Sequence, residues 1–275
     1  MTENKKLFFL GFGNAAADVF NLAFEYGTKY ATTRNRKRLE ELTSLSLNVI
    51  LLEGSAQDYD LEAVGRASRG AHVLVSFPPD GVSDEILSAA LVEPSKVVYI
   101  SSTGVFGEKS GVIDDTVEPD YNCETAIGRI NAEKIWSELA NTVILRAPAL
   151  YGPSYGLHKS LAAGKFKLPG DGSRYTSRIH LSDLARIILK VFEADIEYGA
   201  YNVGDLKPAT QLEVVSWLCE KMDIEMPESK ELSQVHHTLR ANRQIDSSRL
   251  LKALDLTLTY PTYVEGFENC LGDTR

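Results

Sequence analysis

The residues best placed to do chemistry begin at Gly11-Phe12-Gly13-Asn14-Ala15-Ala16, a G-x-G-x-x-A pattern directly behind the apolar run Leu7-Phe8-Phe9-Leu10. Gly11 permits a tight turn, and Gly13 lets a pyrophosphate approach the backbone. Ala16 keeps the side chain small where a helix must pack on a strand. A helix opening at Asn14 and Ala15 would aim unpaired N–H groups and its positive dipole end at the phosphates. The chemistry implied is dinucleotide binding. About twenty residues on, proteins that read the ribose 2′-hydroxyl of NAD carry Asp or Glu. Here Thr33-Arg34 stands at that point, followed by Arg36, Lys37 and Arg38. A guanidinium grips a 2′-phosphate through paired donors. The pattern therefore selects NADP over NAD, with Thr33 and Arg34 as contacts, and reads Arg36 and Arg38 as a solvated helix start. Ser76 and Pro78, in Ser76-Phe77-Pro78-Pro79-Asp80, are expected to shape the chain where it passes the pyrophosphate and nicotinamide ribose.

Such residues need a scaffold that brings strand ends together, and the first half of the chain supplies one. Near-continuous apolar runs fall at 7–10, 30–33, 49–52, 72–76, 97–100 and 142–145. Runs of this kind suit strands buried on both faces. Helical patterns fill the intervals at about 15–27, 36–45, 59–69, 83–92 and 125–139. Strict alternation predicts an α/β fold: a doubly wound parallel sheet of Rossmann type over residues 1–150. Beyond 150 the rhythm changes. Loops dominate 151–178, helices fit 182–194, 210–222 and 246–254, and a strand fits 201–203. Residues 151–275 are expected to add sheet-edge elements and a smaller substrate-binding lobe. No internal repeat or low-complexity tract interrupts the chain.

Composition narrows the function classes. The 275 residues are 44% hydrophobic and 24% charged, as in ordinary globular proteins, and the formal net charge of −9 disfavours a nucleic-acid partner. No apolar run is long enough to span a bilayer, and Met1-Thr2-Glu3-Asn4-Lys5-Lys6 does not read as a signal peptide, so the expected location is cytoplasmic with no membrane partner. Cys123, Cys219 and Cys270 lack metal-ligand spacing and read as buried or idle thiols. His236-His237 has no partner ligands at metal spacing, and no metal is expected.

Five further stretches, taken together, resemble one family. Tyr99-Ile100-Ser101-Ser102-Thr103-Gly104-Val105-Phe106-Gly107 is similar to the Y-x-S-S-x-x-V-Y-G stretch of the extended short-chain dehydrogenases/reductases, the NAD(P)-dependent epimerase/dehydratase branch. Leu145–Pro153 resembles that family's L-R-x-x-x-V-Y-G-P, Arg178–Ala185 its R-x-I-H-V-x-D-L-A, and Tyr201–Gly204 its Y-N-V-G. Asn242–Leu250 with Tyr260–Gly266 resembles its tail. The resemblance implies hydride chemistry at a sugar or alcohol carbon. It also implies a Tyr-x-x-x-Lys pair as proton-transfer group and ribose anchor, and a Ser or Thr that bonds the reacting oxygen. Aligning on Ala132-Glu133 puts Thr125 at the Tyr position and Arg129 at the Lys position. A threonine hydroxyl is no general base at physiological pH. Arg129 can still bond ribose hydroxyls, so it is carried as both a catalytic and a cofactor candidate. Ser102, counted back from Val105, is preferred as the oxygen-binding hydroxyl, and Thr103 follows if counting runs forward from the strand.

Tyr121, one turn before Thr125, is a substitute acid/base if the helix starts early, although Pro119-Asp120 argues for a loop. Tyr155-Gly156-Leu157-His158-Lys159 spells Y-x-x-x-K in a loop expected to face the strand ends. Tyr155, His158 and Lys159 are therefore substrate-contact candidates, or else solvated loop residues. Arg178 and Arg243 could face an anionic small-molecule substrate such as a nucleotide sugar, or be ordinary structural arginines. His72 and His180 read as structural. The resemblance leaves a homodimer open, through the helices at 83–92 and 125–139. Two functions stay open: an NADP-dependent oxidoreductase or isomerase with altered acid/base machinery, and a non-catalytic NADP-binding regulator or redox sensor.

Overall fold

The computed structural model describes residues 5–272. Met1–Asn4, part of the amino-terminal stretch that does not read as a signal peptide, and the side chain of His237 lie outside the described residues. Along the chain run β1 (Lys6–Leu10), α1 (Asn14–Leu22), β2 (Thr28–Thr33), α2 (Arg36–Ser44), β3 (Asn48–Leu51), α3 (Leu61–Ser68), β4 (Ala71–Val75), α4 (Val82–Ala90), β5 (Lys96–Ser102), β6 (Gly111–Ile113) and α5 (Glu124–Ser137). There follow β7 (Thr142–Ala147), β8 (Ala149–Tyr151), α6 (Leu157–Ala162), β9 (Leu168–Pro169), β10 (Tyr175–Thr176), β11 (Arg178–His180), α7 (Leu181–Glu193), β12 (Gly199–Asn202), β13 (Ala209–Thr210), α8 (Gln211–Met222), β14 (Ser229–Lys230), β15 (Arg243–Ile245), α9 (Ser248–Ala253) and α10 (Tyr263–Leu271).

Seven strands form one sheet in the order β12-β7-β5-β4-β1-β2-β3. The pairings β1–β2, β2–β3, β1–β4 and β4–β5 are parallel, as the apolar runs require. The order reverses at β1, which puts the β1 and β4 carboxyl ends side by side, the place where such sheets take their ligands. Helices pack on the sheet through Tyr99, Trp136, Leu87 and Val64, all fully or almost fully buried. This is the expected doubly wound α/β fold.

The described residues form two compact units. One runs from the amino-terminal side to Ser101 and adds Gly128–Leu145 and Ala185–Ala200. The other takes Ser102–Ile127, Arg146–Leu184 and the described residues from Tyr201 onward. The second unit has its own core of Tyr151, Leu161, Val214, Leu218 and Phe267, and four small two-stranded sheets: β6–β15, β8–β11, β9–β14 and β10–β13.

Two expectations shift. The first helix was expected to reach 27 but stops at Leu22. The cause is tertiary: Tyr26 is buried, and its hydroxyl meets His72 Nδ1 at 2.7 Å, which draws the chain off the helix axis. The His72 ring in turn stacks on Phe192 at 4.7 Å, a packing role. The segment 151–178, expected to be loop, holds α6 and two short strands, because Leu161 and Leu168 join the core of the second unit. A last helix, α10, was not anticipated.

Candidate functional site

In the first unit, the turn after β1 is built as the glycine pattern predicts. Gly11 has φ +83°, and a β-carbon there would lie 3.1 Å from Phe77 Cβ and N, so only glycine fits without strain. The Gly11 N–H donates to Thr32 Oγ1 at 2.9 Å, and Ser76 Oγ donates to Gly11 O at 3.0 Å. The turn is thereby tied to the ends of β2 and β4. Gly13 is the N-cap of α1, has no side-chain cap, and faces open space where a β-carbon would stand. No acidic side chain occupies the first turn, so the helix N-terminus presents its N–H groups and dipole unopposed. Asn14 is exposed beside Gly13, while Ala15 and Ala16 are buried against the sheet. Open space at Gly13 over uncapped N–H groups fits a dinucleotide pyrophosphate.

The basic cluster after β2 divides. Thr33 Oγ1 accepts from Asn35 N, so its hydroxyl holds the start of α2. Arg36 pairs with Glu53 through two nitrogens and holds that carboxyl below its ordinary range. Arg34 is exposed, and its Nη2 donates to Asp80 Oδ2 at 3.0 Å and to Ser83 Oγ at 3.1 Å. Its Nε and Nη1 make no bond to the described residues. Arg38 is exposed, as read from sequence, and sends Nη2 to Phe12 O at 3.2 Å, beside the glycine turn. Pro78 is exposed in the β4–α4 loop. That loop is fixed from below: Asp84 Oδ2 accepts from the Asp80 and Gly81 N–H groups, and buried Asp84 Oδ1 accepts from Trp136 Nε1 at 2.9 Å.

Arg129, on α5, donates from Nη1 to Tyr99 Oη at 3.1 Å. Burial pushes the Tyr99 hydroxyl up to about 12, and Arg129 only partly offsets this, so Tyr99 serves as a neutral anchor for the guanidinium. Ser101 Oγ meets Glu133 Oε1 at 2.5 Å in the buried interior, which docks α5 onto the end of β5.

The second unit contains a cavity of about 1020 Å³. Ser102, Thr103, Cys123, Thr125, Tyr155 and Arg243 are among its lining residues. Ser102 Oγ accepts from Gly104 N at 3.1 Å and so caps the short turn that follows β5. Thr103 is 8% exposed, and its hydroxyl has no partner among the described residues. Arg243 is buried, with Nη1 donating to Gly107 O at 2.7 Å, and burial lowers its pKa. Gly107 has φ +51°, and a β-carbon there would collide with Cys123 and Asp120, so these groups are held close together. Cys123 Sγ lies 3.3 Å from Thr125 Oγ1.

Tyr121, His158 and Lys159 do not line this cavity. Tyr121 is 58% exposed, with its hydroxyl 3.5 Å from Glu118. His158 is buried against Phe267, and burial lowers its pKa; Lys159 is exposed on α6. The loop expected there is a helix, which turns His158 inward to the core. Arg178 lines a separate cavity of about 100 Å³ in the same unit, fully buried, with its guanidinium carbon 5.6 Å from the Tyr263 ring centre. His180 packs 4.2 Å from the Tyr260 ring, as a structural residue would.

Sequence reasoning passed over Cys123, Asp120, Arg174, Tyr175 and Asn242, all of which line the large cavity. Asp120 and Cys123 carried a signal, since they immediately precede the helix that bears Thr125. Arg174 and Tyr175 had none, because a two-residue strand leaves no periodicity to read. Among the described residues, no cluster of His, Cys, Asp or Glu could hold a metal, and no helix is long and apolar enough to cross a membrane.

The sheet order and the glycine turn define a Rossmann-type α/β fold. Residues 81–204 match the model of the NAD dependent epimerase/dehydratase family. Similar solved structures agree on the fold. A functionally unknown conserved protein from Silicibacter pomeroyi is 24% identical over 98% of this chain and 99% of its own, with a TM-score of 0.79. UDP-glucuronic acid 4-epimerase from Bacillus cereus, in complex with UDP-glucuronic acid and NAD, is 18% identical over 96% and 97%, with a TM-score of 0.77. dTDP-glucose 4,6-dehydratase from Bacillus anthracis, in complex with NAD, is 16% identical over 97% and 95%, with a TM-score of 0.74. At these identities the likeness speaks to the fold. No curated protein matches the sequence significantly.

Proposed function

We propose that the protein binds NADP in preference to NAD and acts as an oxidoreductase or isomerase on a small alcohol or carbonyl compound, with nucleotide sugars the first class to test. The observation that carries this reading is the uncapped N-terminus of α1 behind Gly11 and Gly13, open where a pyrophosphate would sit. Gly13, Asn14, Ala15 and Ala16 hold the pyrophosphate, and Arg34 offers its Nε and Nη1 donors to the 2′-phosphate. Arg129, locked by Tyr99, meets ribose hydroxyls. The nicotinamide would supply the hydride chemistry. In the large cavity, two hydroxyls can bond a substrate oxygen: Thr103, with no partner among the described residues, and Ser102, whose Oγ accepts from Gly104 N and keeps its O–H to donate. Tyr155 and Arg243 contact the substrate.

A second reading has a specific support. Thr125, aligned with the family's tyrosine, cannot transfer a proton, which favours a non-catalytic NADP-binding regulator. The experiment that tests both is NADPH absorbance against a panel of nucleotide sugars and simple carbonyl compounds, run beside NADPH and NADH binding titrations. Turnover supports the enzyme. Tight NADPH binding with no turnover supports the regulator. No binding of either dinucleotide overturns both.

A further inference from the structure

The second strand lacks the acid that reads a ribose 2′-hydroxyl, but the fold delivers one from elsewhere. Asp80, in the loop between β4 and α4, places Oδ2 3.0 Å from Arg34 Nη2. The carboxylate is not a loose surface partner. Its Oδ1 accepts from Ser83 N at 2.7 Å, and its Oδ2 accepts from Ser83 Oγ at 2.9 Å. The backbone beneath it is pinned, because Asp84 Oδ2 accepts the N–H groups of Asp80 and Gly81, and Trp136 holds Asp84 from the core. The pKa of Asp80 is lowered by its bonds to Ser83 and by the Arg34 charge, against the opposing effect of partial burial, so it stays ionised at neutral pH.

We infer that Asp80 is a specificity-determining residue that opposes Arg34 and sets how strongly the site prefers the 2′-phosphorylated dinucleotide. This inference rests on the reading that Arg34 meets the 2′-phosphate. Asp80 and Ser83 take Nη2, the nitrogen common to both two-donor edges of the guanidinium, and Asp80 offsets its charge, leaving only the separate Nε and Nη1 donors for an incoming phosphate. Because Ser83 and Asp84 hold the carboxylate in place, it does not swing away when the phosphate arrives. Two anions on neighbouring nitrogens of one guanidinium sit about 6 Å apart, and at a half-exposed position that repulsion reduces affinity on the order of tenfold. The same carboxylate is an acceptor for a 2′-hydroxyl, so the unphosphorylated dinucleotide suffers no such repulsion. The pair therefore tempers the choice of dinucleotide instead of enforcing it.

The test is a titration of the full chain with NADPH and with NADH, followed by nicotinamide fluorescence, for the native protein, Asp80→Asn and Arg34→Ala. Asp80→Asn keeps an acceptor for Ser83 and removes the charge. The inference expects NADPH affinity to rise about tenfold in Asp80→Asn, NADH affinity to change less than twofold, and the melting temperature to stay close to native. Arg34→Ala should lose the preference for NADPH. An unchanged or weakened NADPH affinity in Asp80→Asn, with Arg34→Ala behaving as expected, overturns the role of Asp80 alone. If Arg34→Ala keeps the native NADPH-to-NADH ratio, the phosphate reading of Arg34 fails and this inference fails with it.

Discussion

Gly13→Ala separates folding from binding. Gly13 has φ −95° and ψ −164°, an extended conformation open to any L-residue, and a β-carbon built on it meets no heavy atom within 4 Å. Alanine should therefore fold. The unfolded chain loses freedom, worth about 0.4–1 kcal/mol in favour of folding, while alanine is a poorer N-cap than glycine by a similar amount. Net stability should stay within about 1 kcal/mol of native. Binding should not survive, because the methyl group occupies the space a pyrophosphate needs to reach the first N–H groups of α1. Two lost charge-assisted bonds, at about 1.5–3 kcal/mol each, amount to at least a hundredfold weaker affinity. The assays are a urea melt and an NADPH fluorescence titration on the same preparation. Gly11→Ala is the contrast. With φ +83° and a β-carbon 3.1 Å from Phe77, it should lose about 1–3 kcal/mol of stability as well as binding. A Gly13→Ala protein that folds normally and binds NADPH within threefold of native would refute the phosphate cradle.

Three further outcomes are expected. Trp136→Phe removes the donor to buried Asp84 Oδ1 and should cost about 2–4 kcal/mol in a urea melt; a cost below 0.5 would mean that the β4–α4 loop is held by other contacts. Burial raises Asp205 from 3.8 to about 7, with Arg178 pulling it back only in part. The folded state thus favours the neutral acid, a contribution fully present below about pH 4 and lost as pH rises through about 7, up to about 4 kcal/mol. Urea midpoints should fall between pH 5 and pH 8, and Asp205→Asn should flatten that slope; a slope that survives the substitution would assign it to other groups. Thr103→Val should leave stability within about 1 kcal/mol, since no described residue bonds the hydroxyl, yet lower kcat at least tenfold on any substrate found. Unchanged kcat would remove Thr103 from the reaction.

Much of the first unit was legible in the sequence because parallel strands buried on both faces leave continuous apolar runs, and a glycine turn leaves fixed spacing. Gly11 and Gly13 announced their turn before any coordinates. Arg34 was legible as a cation after β2, but its partner Asp80 was not, because the two are 46 positions apart and only the fold joins them. Arg38 is exposed, as read, and its bond to the Phe12 carbonyl was not legible for the same reason. In the second unit the strands of the small sheets are two or three residues long, too short for a period to show. The cavity drew its lining from seven separate stretches of chain, and His158 turned inward because a helix replaced the expected loop. That Ser102 Oγ accepts from Gly104 N was not legible either, because the cap forms only in the folded turn after β5.

The central claim is that α1 receives a dinucleotide at its N-terminus, and a crystal structure grown at saturating NADPH tests it most directly. The account predicts pyrophosphate density within hydrogen-bond reach of the backbone N–H groups at the start of α1, with the 2′-phosphate against Arg34. Density for the dinucleotide elsewhere, or an empty turn at full saturation, would contradict it.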